Sequence, residues 1–201
     1  LDPNQSLAQA YALLQRGDLR GARSLVAGVL RSYPTAPSAL SLMALVELTG
    51  LQTQGGDAKP ALAAFAAAIK VAPRDPQLFN NLGNLHKTMG ATDDALAAYR
   101  KAISLNANFA DAHANFGIVA QAAGRYEEAL PALQRAAVLA PKMARAWSAL
   151  GLCLRGLGQH DIAAEALDRA LALEPRAPVA LRGRAIVEAE RGGPDAANFY
   201  Q

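Results

Sequence analysis

Three histidines, one cysteine and scattered carboxylates are the residues in this chain that catalysis could use, and their spacing argues against an enzyme. His86, His113 and His160 are separated by 27 and 47 residues and fall in different local elements. A metal needs converging ligands, and Asp111-Ala-His113 offers two with no identifiable third. No HExxH, no CxxC and no phosphate-cradling glycine loop behind a strand occurs. Cys153, the single cysteine, excludes an internal disulfide, and its setting in LGLCL reads as a small buried hydrophobe. His86 and His113 lie on apolar stripes, which points to packing, and His160 falls in a turn. The expectation is a chain without catalysis, metal or cofactor.

Amides and guanidiniums offer a different chemistry, that of holding another chain. Asn80, Asn81 and Asn84 cluster, and Asn81 and Asn115 stand 34 residues apart. An amide carries two donors and an acceptor, so it can bond a peptide backbone group of either polarity. The net charge of +3, from 20 basic and 17 acidic residues, is spread with the signs interspersed, so neither a nucleic-acid nor a membrane surface is implied. No apolar run has the length of a membrane-spanning helix and no signal peptide is visible, so the expected place is cytoplasmic. The chain opens on Leu1 rather than Met, and a trimmed N-terminus is part of that expectation.

The interval of 34 also runs through the residues that must position these groups. Gly90, Gly124, Gly158 and Gly192 follow it, Gly56 lies one step upstream, and Ala61, Ala95, Ala129, Ala163 and Ala197 keep it five places later. One short unit is therefore used repeatedly, and stacked neighbours must supply the core that a single unit cannot. With 52% hydrophobic residues but only 5% aromatic, close helix–helix contact suits the chain better than a large interior. Within 76–109, Leu78, Phe79, Leu82 and Leu85 make one helical stripe, and Ala95, Leu96, Tyr99, Ala102 and Ile103 a second. Gly90 ends the first helix, and Thr92 or Asp93 is placed to cap the next. Gly83, Gly117 and Gly151 hold one place inside the first helices, which predicts a crossing too close for a side chain. Pro73, Pro141 and Pro175 close their units, with Ala107 in the matching place. Pro131, early in a second helix, is expected where an amide has no internal partner.

The outer units depart from this pattern. The unit 37–75 carries five extra residues, which predicts a mobile connection containing Gly50, Gly55 and Gly56. The first unit keeps Gly17, Asp18, Ala22 and Pro34, but Ser6 to Arg16 reads as an irregular helix and Leu1–Asn4 as the tail of a preceding unit. A sixth unit runs from 178 and is incomplete at 201. Its Arg184 and Glu188 stand where other units are apolar, which reads as a solvated end helix with an i,i+4 ion pair. Phe199 and Tyr200 favour instead a chain cut from a longer protein.

The recurring set Phe79, Leu82, Gly83, Gly90, Ala95, Tyr99, Ala102, repeated as Trp147, Leu150, Gly151, Gly158, Ala163, Leu167, Ala170, Pro175, resembles the tetratricopeptide repeat. The resemblance implies an all-α, right-handed superhelical α-solenoid of antiparallel helical hairpins, with approximate repeats 3–36, 37–75, 76–109, 110–143, 144–177 and 178–201. It further implies a concave face lined by outward-pointing residues of the first helices: Asn80, Asn81, Asn84 and Lys87, then Asn115, Ile118 and Gln121, then Arg145, Ser148, Leu152 and Arg155, then Arg182. Asn81 and Asn115 are similar to two rungs of the asparagine ladder in the O-linked N-acetylglucosamine transferase repeats. The carboxylate clamp of chaperone-tail binders would need a lysine where Asn80 stands. Arg145, Arg155 and Arg182 would attract an acidic segment. The function expected is a non-catalytic scaffold binding an extended peptide or partner helix. The alternatives are a substrate-presenting or regulatory arm of a transferase or oxygenase, and self-assembly into a homo-oligomer through terminal repeats.

Overall fold

The computed structural model describes residues 2–192, and all the regular structure in them is helical. The chain divides into two compact units, at Leu1–Leu105 and Asn106–Gln201. In the first, α1 (Pro3–Gln15) pairs with α2 (Leu19–Ser32), α3 (Pro37–Gln54) with α4 (Lys59–Val71), and α5 (Pro76–Thr88) with α6 (Thr92–Leu105). In the second, α7 (Ala110–Ala122) pairs with α8 (Tyr126–Leu139) and α9 (Ala144–Gly156) with α10 (His160–Leu173), and α11 (Pro178–Arg191) follows. Within each unit the first helices also touch one another, α1 to α3 to α5 and α7 to α9 to α11, and so form a layer of their own. This is the all-α architecture of stacked antiparallel hairpins.

The turn glycines act as their spacing predicts. Gly17, Gly90, Gly124 and Gly158 have φ of +79°, +74°, +75° and +74°, a region that side chains with a Cβ rarely adopt. At Gly90 the next amide, Ala91 N, donates 2.9 Å back to His86 O and satisfies a carbonyl of the helix end. Gly192 departs from the series with φ −75°, as the residue that closes α11. The glycines inside the first helices mark close crossings. A Cβ on Gly83 would lie 2.5 Å from the Tyr99 ring, and one on Gly151 2.5 Å from Leu167 Cγ and 3.0 Å from Ala163 O. Gly117 faces Leu133 in the same way.

His113 is a core histidine. Its Nε2 lies 3.0 Å from Ala107 O, and one hairpin later Trp147 Nε1 donates to Pro141 O at 2.9 Å. A ring N–H thus meets the carbonyl at the unit's closing place in both, and Nε2 of His113 must carry the proton because a carbonyl only accepts. Arg184 pairs with Glu188 as expected and also donates 2.8 Å from Nε to Asp168. The hydrogen bond and charge of Arg184, with a smaller pull from the Arg191 charge, hold the Glu188 carboxyl below its ordinary value. Any stabilisation from that pairing is complete at neutral pH and is lost as pH falls through the lowered value.

Several expectations are corrected. The five extra residues extend α3 to 18 residues, so Gly50 and Leu51–Gln54 are helical and the connection begins only at Gly55. Strong helix formers on an already packed helix continue it where glycine suggested a loop. The first helix is regular over Pro3–Gln15: Asp2 caps it, accepting from Asn4 N at 3.0 Å, as Asp75 caps α5. Asp2-Pro3 is therefore a helix start, not a tail. Thr92 is the first residue of α6 and His160 the first of α10, rather than a cap and a turn. Pro131 lies well inside α8, where its missing N–H removes the bond Glu127 O would otherwise accept. The second helix of the sixth unit, with Ala197, Phe199 and Tyr200, falls outside the described residues.

Two glycine substitutions should move stability in opposite directions. Gly28 lies in α2 with only Arg31 Nη2 near its Cβ position, at 3.8 Å, so Gly28→Ala should stabilise by about 0.5–1 kcal/mol. Gly151→Ala must displace Leu167 against a backbone oxygen and should destabilise by roughly 1–3 kcal/mol. Urea unfolding of both variants checks the signs.

Candidate functional site

The face presented by the first helices differs between the two units. On α5, Asn80 is 4% exposed and turned into the packing rather than outward. Asn84 Oδ1 accepts the hydroxyl of the fully buried Tyr99 at 2.8 Å, so it serves its own hairpin. Asn81 is half-buried and accepts from Gln77 Nε2 at 3.1 Å, one turn back on the same helix. Lys87 is exposed. The helical stripe assigned these residues to a face, but tyrosine on the paired helix draws Asn84 inward.

In the second unit, Arg145 on α9 reaches back to α7 with both terminal nitrogens. Nη1 donates to Asn115 Oδ1 at 2.7 Å and Nη2 to Asp111. Asn115 is 8% exposed and Ser148 5%, the latter donating to Ala144 O at 3.0 Å. Neither points outward, because their place on the helix is where neighbouring first helices pass. Arg155 Nη1 lies 3.2 Å from Glu190 Oε1, and Arg182 is exposed. Two of the three arginines expected to meet an acidic segment are thus already paired within the chain.

Between α7, α9 and the start of α11 lies an open cavity of about 280 Å³. It brings together Ile118, Gln121, Arg145, Ser148 and Leu152 from the expected set and adds Ala149, Glu174, Ala177, Pro178 and Val179. Its walls are mainly aliphatic, with Arg145 and Glu174 as the charged groups. Val179 is 57% exposed, unusual for valine, and was missed by the sequence reading. The signal existed, since Val179 lies 34 residues after Arg145.

The groups that could do acid–base or nucleophilic chemistry are dispersed over α5, α7, α9 and α10. Among the described residues, no three His, Cys, Asp or Glu side chains gather as metal ligands. Cys153 is buried and its thiol contacts Tyr126 O at 3.2 Å. Burial, with a smaller contribution from the Glu127 charge, pushes the thiol up to about 11. Among the described residues no helix is long and apolar enough to cross a membrane.

Sequence profiles of two tetratricopeptide repeat families match the chain, one at residues 76–109 and the other at 114–161 and 154–198. Together they span more than half of it. The chain is built of tetratricopeptide repeats. No curated protein matches its sequence. Solved structures share the fold at low identity. YrrB, a tetratricopeptide repeat protein with an unusual peptide-binding site, is 23% identical over 89% of this chain and 90% of its own, with a TM-score of 0.69. PilW, a type IV pilus biogenesis factor, is 20% identical over 98% and 90%, at 0.80. PilF from Pseudomonas aeruginosa is 16% identical over 98% and 88%, at 0.83.

Cys153 should resist thiol reagents in the folded repeats. With a thiol value near 11, about one molecule in a thousand is thiolate at pH 8, and access is closed as well. Labelling by an aromatic disulfide should be slow in buffer and complete in denaturant; fast labelling of folded protein would contradict the burial.

Proposed function

We propose that this tetratricopeptide repeat protein is a non-catalytic interaction scaffold, and that the cavity between α7, α9 and α11 seats a bulky apolar side chain of a partner segment. The observation that carries the reading is the convergence of Ile118, Leu152 and Val179 around one open hollow. At about 280 Å³ it falls just below the roughly 300–1,000 Å³ of small-molecule sites, a size suited to a single anchor rather than a cofactor. Fully desolvated anchors of this kind carry most of the binding energy in protein interfaces. The peptide-binding site of YrrB, a protein of the same fold, is consistent with this use.

In this reading the polar residues are secondary. Asn81 and Asn115 would hold a partner's backbone only by exchanging Gln77 and Arg145 as partners. An acidic residue of the partner would find Arg182, and would have to compete with Asp111 for Arg145. The bound segment is therefore an extended peptide or helix chosen by an apolar residue, with charge adjusting its direction.

Selection of a random peptide library on the immobilised protein tests this. Enriched sequences should share a bulky aliphatic or aromatic residue, and Val179→Glu should abolish their binding. Val179 is 57% exposed, so its replacement should change stability by no more than about 0.5 kcal/mol. Enrichment without a shared apolar residue, or full binding by Val179→Glu, would refute the cavity as the anchor site.

A further inference from the structure

The helix that closes one side of the cavity rests on a small buried contact ringed by ion pairs. α11 buries Ala180, Gly183 and Val187. Two of the three are among the smallest side chains, and Leu181, which could have packed, is exposed. Gly183 permits a close approach, since a Cβ there would stand 2.9 Å from Leu152 Cδ2, but it adds little apolar area.

Around this small contact, ion pairs run from α11 to the hairpin of α9 and α10. Arg184 Nε meets Asp168 at 2.8 Å and Arg191 Nη2 meets Asp161 at 2.9 Å. Glu190 is the hub: its Oε1 lies 3.2 Å from Arg155 Nη1 on α9, and its Oε2 lies 3.3 Å from His160 Nδ1 on α10, a contact that is ionic only with a protonated imidazole. Arg155 Nε is shut from water without a hydrogen-bond partner, so this guanidinium depends on Glu190 for its compensation. On α11 itself Glu188 faces Arg184 and, at 3.8 Å, Arg191. The side chains in these cross-helix pairs are 29–81% exposed, within reach of mobile ions. Pairs of that kind are individually weak and are screened by salt, while the apolar contacts inside the α9–α10 hairpin are not.

We propose that α11 is a detachable wall of the cavity, held by the ion-pair network centred on Glu190, so that ionic strength controls its docking while the α9–α10 hairpin stays intact. Because α11 carries Pro178 and Val179, its docking determines whether the cavity is complete. That consequence rests on the cavity being the anchor site; the docking itself does not.

Amide hydrogen exchange of the whole chain tests it in low-salt buffer and in about 1 M NaCl, where the screening length is about 3 Å. The amides of α11 should exchange roughly three- to tenfold faster at high salt, with those of α9 and α10 unchanged. Glu190→Gln should speed α11 exchange already at low salt and shrink the salt response. An α11 that ignores salt, or one that Glu190→Gln leaves at the wild-type rate, overturns the proposal. The readout needs no ligand, so a failure of the peptide selection would leave this result untouched, and the reverse also holds.

Discussion

Each of three hairpins is set by the absence of a single carbon atom. At Gly83, Gly117 and Gly151 the paired helix drives Tyr99, Leu133 or Leu167 into the volume a Cβ would fill. These three side chains are fully buried, as are Ala95, Ala129 and Ala163 one turn earlier on the same helices. A glycine inside a helix costs about 1 kcal/mol against alanine. Fully burying a large apolar side chain returns about 1.5–3 kcal/mol, so the exchange favours the close crossing. In the second unit, α7 and α9 then lie near enough to their partners for the next first helix to pack on both. Opening the crossing at Gly117 would shift the contacts of α9 as well, because nearest-neighbour interfaces hold a repeat array together.

The same closeness shapes the candidate site. In the second unit, Asn115, Ala149 and Gly183 occupy one place on three successive first helices, and all three are buried. Small residues there bring the helices together, and the larger Ile118, Leu152 and Val179 are left to border a hollow. The asparagine fits the same place because Arg145 bonds its amide oxygen. The fork from Arg145 to Asn115 and Asp111 therefore ties α9 to α7 in a fixed register.

The sequence carried the architecture well, because turn glycines and apolar stripes are local signals that repeat in phase. Gly90, Gly124 and Gly158 marked turns, and Gly83, Gly117 and Gly151 marked crossings. What it could not carry was the identity of the neighbour a side chain meets. Periodicity put Asn80, Asn84 and Ser148 on an outward face, but Tyr99 lies opposite Asn84, and Ser148 bonds the carbonyl of its own helix. The α3 extension was misread for a related reason. Glycine is a weak breaker when its neighbours favour helix and its helix is packed on both sides, and Gly50 is such a case. Val179 joins the hollow through its neighbours Ile118 and Leu152 on other helices, which its place in the sequence does not name.

Internal pairing also decides how the chain meets a partner at a distance. Arg145 is compensated by Asp111, Arg155 by Glu190 and Arg184 by Asp168 and Glu188. The net charge of +3 is thus not concentrated on the first-helix face of the second unit, where Arg182 is exposed and Glu174 has the opposite sign. With these arginines paired internally, little steering is expected at the proposed site, and association there would run near the roughly 10⁵–10⁶ M⁻¹s⁻¹ typical of neutral surfaces. Under the reading proposed above, affinity would come from slow departure, which a desolvated anchor supplies and an exposed arginine does not. With Arg145, Arg155 and Arg184 holding helices in register, the choice of partner is left, on that reading, to the apolar hollow.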